Sequence, residues 1–234
     1  MPNSVLRGKT MRLTARFPVA LLAFVGVVCV VQLAAYHQQS ATPVLAAELQ
    51  SIQLPKPDTT GGMPLMQALA HRQTTRAFAD KPLPLQTLSN LLWAAFGVNR
   101  PRAVKSGLGR TAPSAMNSQD IELHVVLPQG VYVYEAEPNL LRPVVGGDER
   151  AKINPQAAHA AVTIVYVAAV KDDWAQVDTG FIGQNVYLFA ASEGLNAWFY
   201  ALHGQQDAAA VSAALNLPAD KRALYAQSVG YSPL

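Results

Sequence analysis

Residues Phe17–Ala35 read FPVALLAFVGVVCVVQLAA, nineteen positions with one polar side chain, Gln32. A run of that length has no polar face to offer water. It either spans a bilayer or acts as an export signal, a buried core helix being the lesser alternative. Arg7, Lys9, Arg12 and Arg16 precede it with no acid among them, the pattern of a segment whose basic flank stays inside. Val44-Leu45-Ala46 offers small residues for cleavage before Ala47. The expected destination is therefore the periplasm or the inner membrane. The same four cations more than account for the formal net charge of +3, so the basic pI is a targeting feature and does not argue for nucleic acid. The only cysteine, Cys29, lies in this run, which leaves the remainder without a thiol for a disulfide, a metal or a nucleophile.

Three segments follow from this division: a signal or anchor over 1–46, a linker over 47–62 rich in Pro, Thr and Gly, and one globular domain over 63–234. PLMQALAHR is a short helix with Met66, Leu69 and Ala70 on one side. PLQTLSNLLWAAFG is a second, with Leu85, Leu88, Leu91, Leu92 and Ala95 at helical spacing and Gly97 at its end. A loop covers 99–118. IELHVVL and VYVYEA form a hairpin around PQG, and AVTIVYVAAV is a central buried strand. Trp174–Glu193 is a helix stopped by Gly194, DAAAVSAALNL another helix, and ALYAQSVGY a closing strand. Helices and strands without strict βαβ alternation indicate an α+β fold.

In a chain with only 14% charged residues, HRQTTRAFAD (71–80) gathers His71, Arg72 and Arg76 with Thr74 and Thr75. Forked guanidinium donors with hydroxyls suit a phosphate. The other reading is a solvated helix end whose cations complement the macrodipole. Three further stretches bear on the choice: RTAPSAMNSQDIELHVV, GFIGQNVYLFAASEGLNAWFYALH and LPADKRALYAQSVGYSPL. In this order they resemble the FMN-dependent nitroreductase family over roughly Pro64 to Pro233. LSNLLWAAFGVNR and RTAPSA look most like its branch of azoline dehydrogenases, which act in thiazole/oxazole peptide biosynthesis.

The resemblance implies a nitroreductase-like α+β fold, a mainly antiparallel sheet flanked by helices, and FMN as cofactor. It implies a homodimer that takes electrons from a reductant such as NAD(P)H and passes them to a nitroaromatic, a quinone or another small electrophile. Within Arg72-Gln73-Thr74-Thr75-Arg76, it puts Arg72 and Thr74 at the phosphate and ribityl end, with Gln73 also among the cofactor-binding residues. Arg76 falls at the flavin N1/O2 edge, where negative charge gathers on reduction. It makes Pro113, Ser114 and Ala115 a loop that packs on the ring from the partner subunit, with Asn117 and Gln119 preserving its shape. The backbone around Ala201 and Leu202 would donate an N–H to N5. Local readings stay open for Ser114 and Asn117 as loop or cap residues, and for Arg110 as a ligand or a loop pin. Gln184 and Asn185 read as helix-face residues, and Tyr200 and His203 as packing or as proton donors. After Val229-Gly230 the sequence gives Tyr-Ser-Pro-Leu where many relatives have a Lys/Arg pair, so the phosphate is expected to lose one clamp. Two alternatives accompany this reading: an azoline dehydrogenase running the flavin oxidatively, and a membrane-tethered module that has lost turnover.

Overall fold

The computed structural model describes residues 49–101, 107–202 and 208–233. The apolar run Phe17–Ala35, Cys29 and the cleavage site lie outside them. Among the described residues no helix is long and apolar enough to cross a membrane.

Among the described residues the strands are β1 Ile52–Gln53, β2 Val98–Arg100, β3 Gly109–Arg110, β4 Glu122–Leu127, β5 Gly130–Glu135, β6 Leu140–Gly146, β7 Val162–Ala169, β8 Asn196–Ala201 and β9 Lys221–Gly230. The α-helices are α1 Leu65–His71, α2 Leu85–Phe96, α3 Arg150–Ile153, α4 Ala175–Ser192 and α5 Ala208–Ala214. Seven strands make one antiparallel sheet in the order β1-β6-β5-β4-β7-β9-β8, and β2 and β3 form a separate small hairpin. β7 is an interior strand buried on both faces along seven of its eight residues, which explains why its sequence is apolar without alternation.

One face of the sheet (Leu123, Val125, Tyr132, Ile164, Tyr166) packs against Leu88, Leu91 and Leu92 of α2 and Ile182, Val186 and Ala190 of α4. Spacings of three and four along each helix supply those stripes. The opposite face (Val126, Val131, Val165, Val167, Ala226) is covered by Ile153 of α3 and by Val211 and Leu215.

Three expectations need correction. The folded unit reaches N-terminal of the boundary expected at residue 63: β1 pairs with Leu140–Leu141, and Leu54 is buried. Pro55 O also accepts hydrogen bonds from Ser89 and Asn139. Met66 and Leu69 of α1 face outward and Ala68 is the buried residue, while Leu85 of α2 is also exposed. Finally, β6 was missed. Its Pro143 stands opposite Tyr132, where the β5–β6 register shifts between Val131 and Tyr132; the bulge accommodates a residue that has no N–H to donate.

Candidate functional site

β8 ends the sheet, and its outer edge would present unpaired backbone groups were it not covered. The segment 72–79, between α1 and α2, covers it. Thr75 N–H donates to Ala197 O (2.9 Å), and Ala197 N–H donates back to Thr75 Oγ1 (3.1 Å). Asn196 Nδ2 donates to Ala77 O (2.7 Å), and Ala79 N–H donates to Tyr231 O (2.9 Å). This stitching leaves Gln73, Thr74 and Arg76 exposed and Arg72 half-buried, so four of the expected residues share one edge.

Both arginines rest on aromatic rings. The Arg72 guanidinium lies 5.3 Å from the centroid of Tyr187, and that of Arg76 lies 5.4 Å from Trp198. Among the described residues neither joins an ion pair. Uncompensated cations on one exposed segment attract an anion. Tyr187, read from the sequence only as a helix residue, ties the region together. Its hydroxyl lies 2.9 Å from Thr74 Oγ1 and accepts the Phe199 N–H at 2.9 Å.

Two glycines bring α4 and β8 into this relation. Gly194 (φ +66°) ends the helix in the left-handed conformation that side chains resist, and so turns the chain into β8. Gly183 lets the Phe199 ring approach α4 closely: a Cβ there would sit 2.7 Å from Phe199 Cε2.

The second expected group, Pro113–Ala115, lies in a loop that turns through a 3₁₀ segment at Ala115–Asn117. Met116 (φ +54°), Asn117 (+57°) and Gln119 (+52°) all occupy the left-handed region without being glycine. Each such residue costs about 1–2 kcal/mol, so the surroundings must enforce the shape. Ala115 N–H donates to both carboxylate oxygens of Asp178 (2.9 and 3.0 Å), a fully buried residue in the first turn of α4. Gln119 N–H donates to Ser114 Oγ (3.0 Å), and Gln119 Nε2 to Asn117 Oδ1 (3.1 Å). Arg110 Nε donates to Gln119 Oε1 (2.7 Å) and its Nη1 to Phe96 O (3.2 Å). Ser114, Asn117 and Arg110 thus build the loop, which holds out Pro113 and Met116, the latter 94% exposed.

Directly after this loop, burial and a hydrogen bond shared with Asp172 push the Asp120 carboxyl up to about 6. Asp172 in turn caps α4 by accepting the N–H groups of Trp174 and Ala175.

Ala201 and Leu202 close β8. Leu202 N–H donates to Leu224 O (3.0 Å), so that N–H is engaged in the sheet. Strand alternation turns the N–H of Ala201 to the same outer edge as those of Ala197 and Phe199. Tyr200 is a buried packing residue with its hydroxyl 3.1 Å from Ser228 Oγ, and Gln184 is exposed on its helix face. His203 lies outside the described residues.

The two expected groups, the 72–76 segment and the Pro113–Ala115 loop, are tied to different parts of α4. The 72–76 segment is tied to α4 at Tyr187 and the loop at Asp178, nine residues earlier along the helix, or about 13 Å at 1.5 Å per residue.

Comparison with known proteins agrees with this architecture. A family model described as "Nitroreductase family" matches residues 69–231. A crystal structure of a candidate nitroreductase from Ralstonia eutropha JMP134 superposes with a TM-score of 0.71 at 32% identity, covering 83% of this chain and 96% of that one. A candidate nitroreductase of Methanocaldococcus jannaschii is 29% identical over 153 residues, covering 56% of this chain and 75% of its own length. A Clostridium difficile R20291 protein described as an FMN-dependent nitroreductase has a TM-score of 0.52 at 18% identity, covering 72% of this chain and 88% of that one; that likeness concerns the fold alone.

Proposed function

The chain belongs to the nitroreductase family of oxidoreductases, and from that premise we propose that it works through bound FMN, delivering electrons to a nitroaromatic, a quinone or a similar small electrophile. The observation that carries the reading is the pair of uncompensated guanidiniums, Arg72 and Arg76, displayed with Thr74 on the edge of β8. A phosphate and an electron-accepting ring edge need that donor set, so the residues fit FMN. When bound, FMN supplies a reversible two-electron store that a reductant such as NAD(P)H can load and an acceptor can empty.

The protein's part is to bind and tune. Arg72 and Thr74 would hold the phosphate, with Gln73 beside them. Arg76 would stand at the edge where charge grows, and the backbone around Ala201 and Leu202 would lie beside the ring. The Pro113–Ala115 loop would come from a second copy, as the two groups are tied to α4 nine residues apart. An exposed apolar surface supports the homodimer: Leu65, Met66 and Leu69 of α1, Trp174 and Phe181 at and in α4, and Met116 are 43–94% exposed. Surface of this kind favours burial against a partner. The proposal includes export or membrane attachment through Phe17–Ala35, supported by the four cations before it; a reporter fused after residue 60 should be active only outside the cytoplasm.

The function is tested by comparing two variants of the full-length chain. Arg72→Ala should mainly weaken FMN binding, by about 1.5–3 kcal/mol per lost charged hydrogen bond. Arg76→Ala should keep more FMN but lower its reduction potential by roughly 20–65 mV, the two-electron equivalent of about 1–3 kcal/mol. Unchanged affinity and potential in both variants would leave the cluster a solvated helix end.

A further inference from the structure

Tyr187, a residue of α4, touches both the 72–76 segment and β8. Its hydroxyl oxygen accepts the Phe199 N–H (2.9 Å) and lies 2.9 Å from Thr74 Oγ1, while its ring carries the Arg72 guanidinium at 5.3 Å. The phenol has one proton, and the Thr74 contact can run either way. If Thr74 donates, the phenol proton is left without an acceptor among the described residues. If the phenol donates, its proton is paired and the Thr74 proton is turned outward. Each arrangement makes two hydrogen bonds among these groups, but the second leaves the spare proton on the exposed Thr74 hydroxyl, where water or a ligand can accept it, and not on the half-buried phenol.

We propose that Tyr187 is a positioning residue that polarises Thr74. By accepting from the strand and donating to Thr74 Oγ1, it leaves the exposed Thr74 hydroxyl as a donor. By seating Arg72 on its ring it holds a cation next to that donor. Thr74 and Arg72 then present one charge and one aimed O–H to the same anionic oxygens. This rests on the FMN reading above and deepens it: the group served is the phosphate, not the ring. Tyr187 acts through Thr74 and touches no substrate.

The test is a titration of the full-length chain with FMN and, separately, with riboflavin, which lacks the phosphate, followed by quenching of flavin fluorescence. Tyr187→Phe keeps the ring under Arg72 and removes only the hydroxyl. It should weaken FMN roughly tenfold or more, as expected for loss of one hydrogen bond to a charged group, and leave riboflavin unchanged. Thr74→Val should do the same, and the double variant should be no weaker than either single one. The inference is overturned if Tyr187→Phe binds FMN like the parent, if it weakens both flavins equally, or if the two substitutions add. A parent that binds neither flavin overturns the FMN reading and this inference with it, an outcome distinct from the other three.

Discussion

Asp178 should hold the Pro113–Ala115 loop, and removing its carboxylate should release it. The residue is fully buried and accepts the Ala115 N–H on both oxygens, at 2.9 and 3.0 Å. A hydrogen bond to a charged acceptor contributes about 1.5–3 kcal/mol. Asp178→Asn keeps one acceptor oxygen without the charge and should cost about 1 kcal/mol. Asp178→Ala leaves the Ala115 N–H unpaired beside a small void and should cost about 2–4 kcal/mol. For a domain of this size 1 kcal/mol shifts Tm by about 2–4 °C, so the alanine variant should melt roughly 5–15 °C lower and the asparagine variant between it and the parent. Loop release is local, so hydrogen exchange across 113–119 should speed up more than exchange in β7. The assay pairs a thermal melt at fixed protein concentration with that exchange measurement. An alanine variant that melts with the parent, its Ala115 amide equally protected, would refute the argument.

Three other outcomes follow from the packing and the charges. Gly183→Ala forces a Cβ to within 2.7 Å of a Phe199 ring that also stacks on Tyr225, and should cost about 1–3 kcal/mol in a denaturant melt while displacing β8. Asp120, raised to about 6 by burial and by its bond with Asp172, favours the folded state at low pH; that contribution is full below about 4 and fades as pH rises through about 6. Asp120→Asn keeps a donor for Asp172, so its stability relative to the parent should improve as pH rises from 4 to 7 in parallel urea titrations. The exposed apolar surface should make the protein a dimer by light scattering, and Phe181→Glu should shift it toward the monomer.

The sequence revealed elements whose signal is local. β7 was legible because burial on both faces demands an unbroken apolar run, and α4 because Gly194 marks its end. β6 was hidden by Arg142 and Pro143, which break its alternation and are tolerated only because a bulge lies opposite. The segment around Ile52 looked like a linker because its Pro, Thr and Gly describe composition, whereas Leu54 is buried against residues far along the chain. At the site, the cations and hydroxyls of 72–76 stood out as a cluster. Tyr187 and Asp178 did not, since each is one polar position on a helix whose partner lies 113 or 63 residues away. The pairing of Leu202 with Leu224, which engages its N–H, was not legible because it is a property of sheet register and not of any motif.

Whether the edge of β8 cradles FMN is tested most simply by purifying the full-length chain, recording its visible absorption with and without added FMN, and then adding dithionite or NADH anaerobically. The expected result is a yellow protein that retains one FMN per protomer through gel filtration and bleaches on reduction. A colourless protein that fails to retain added FMN would contradict it.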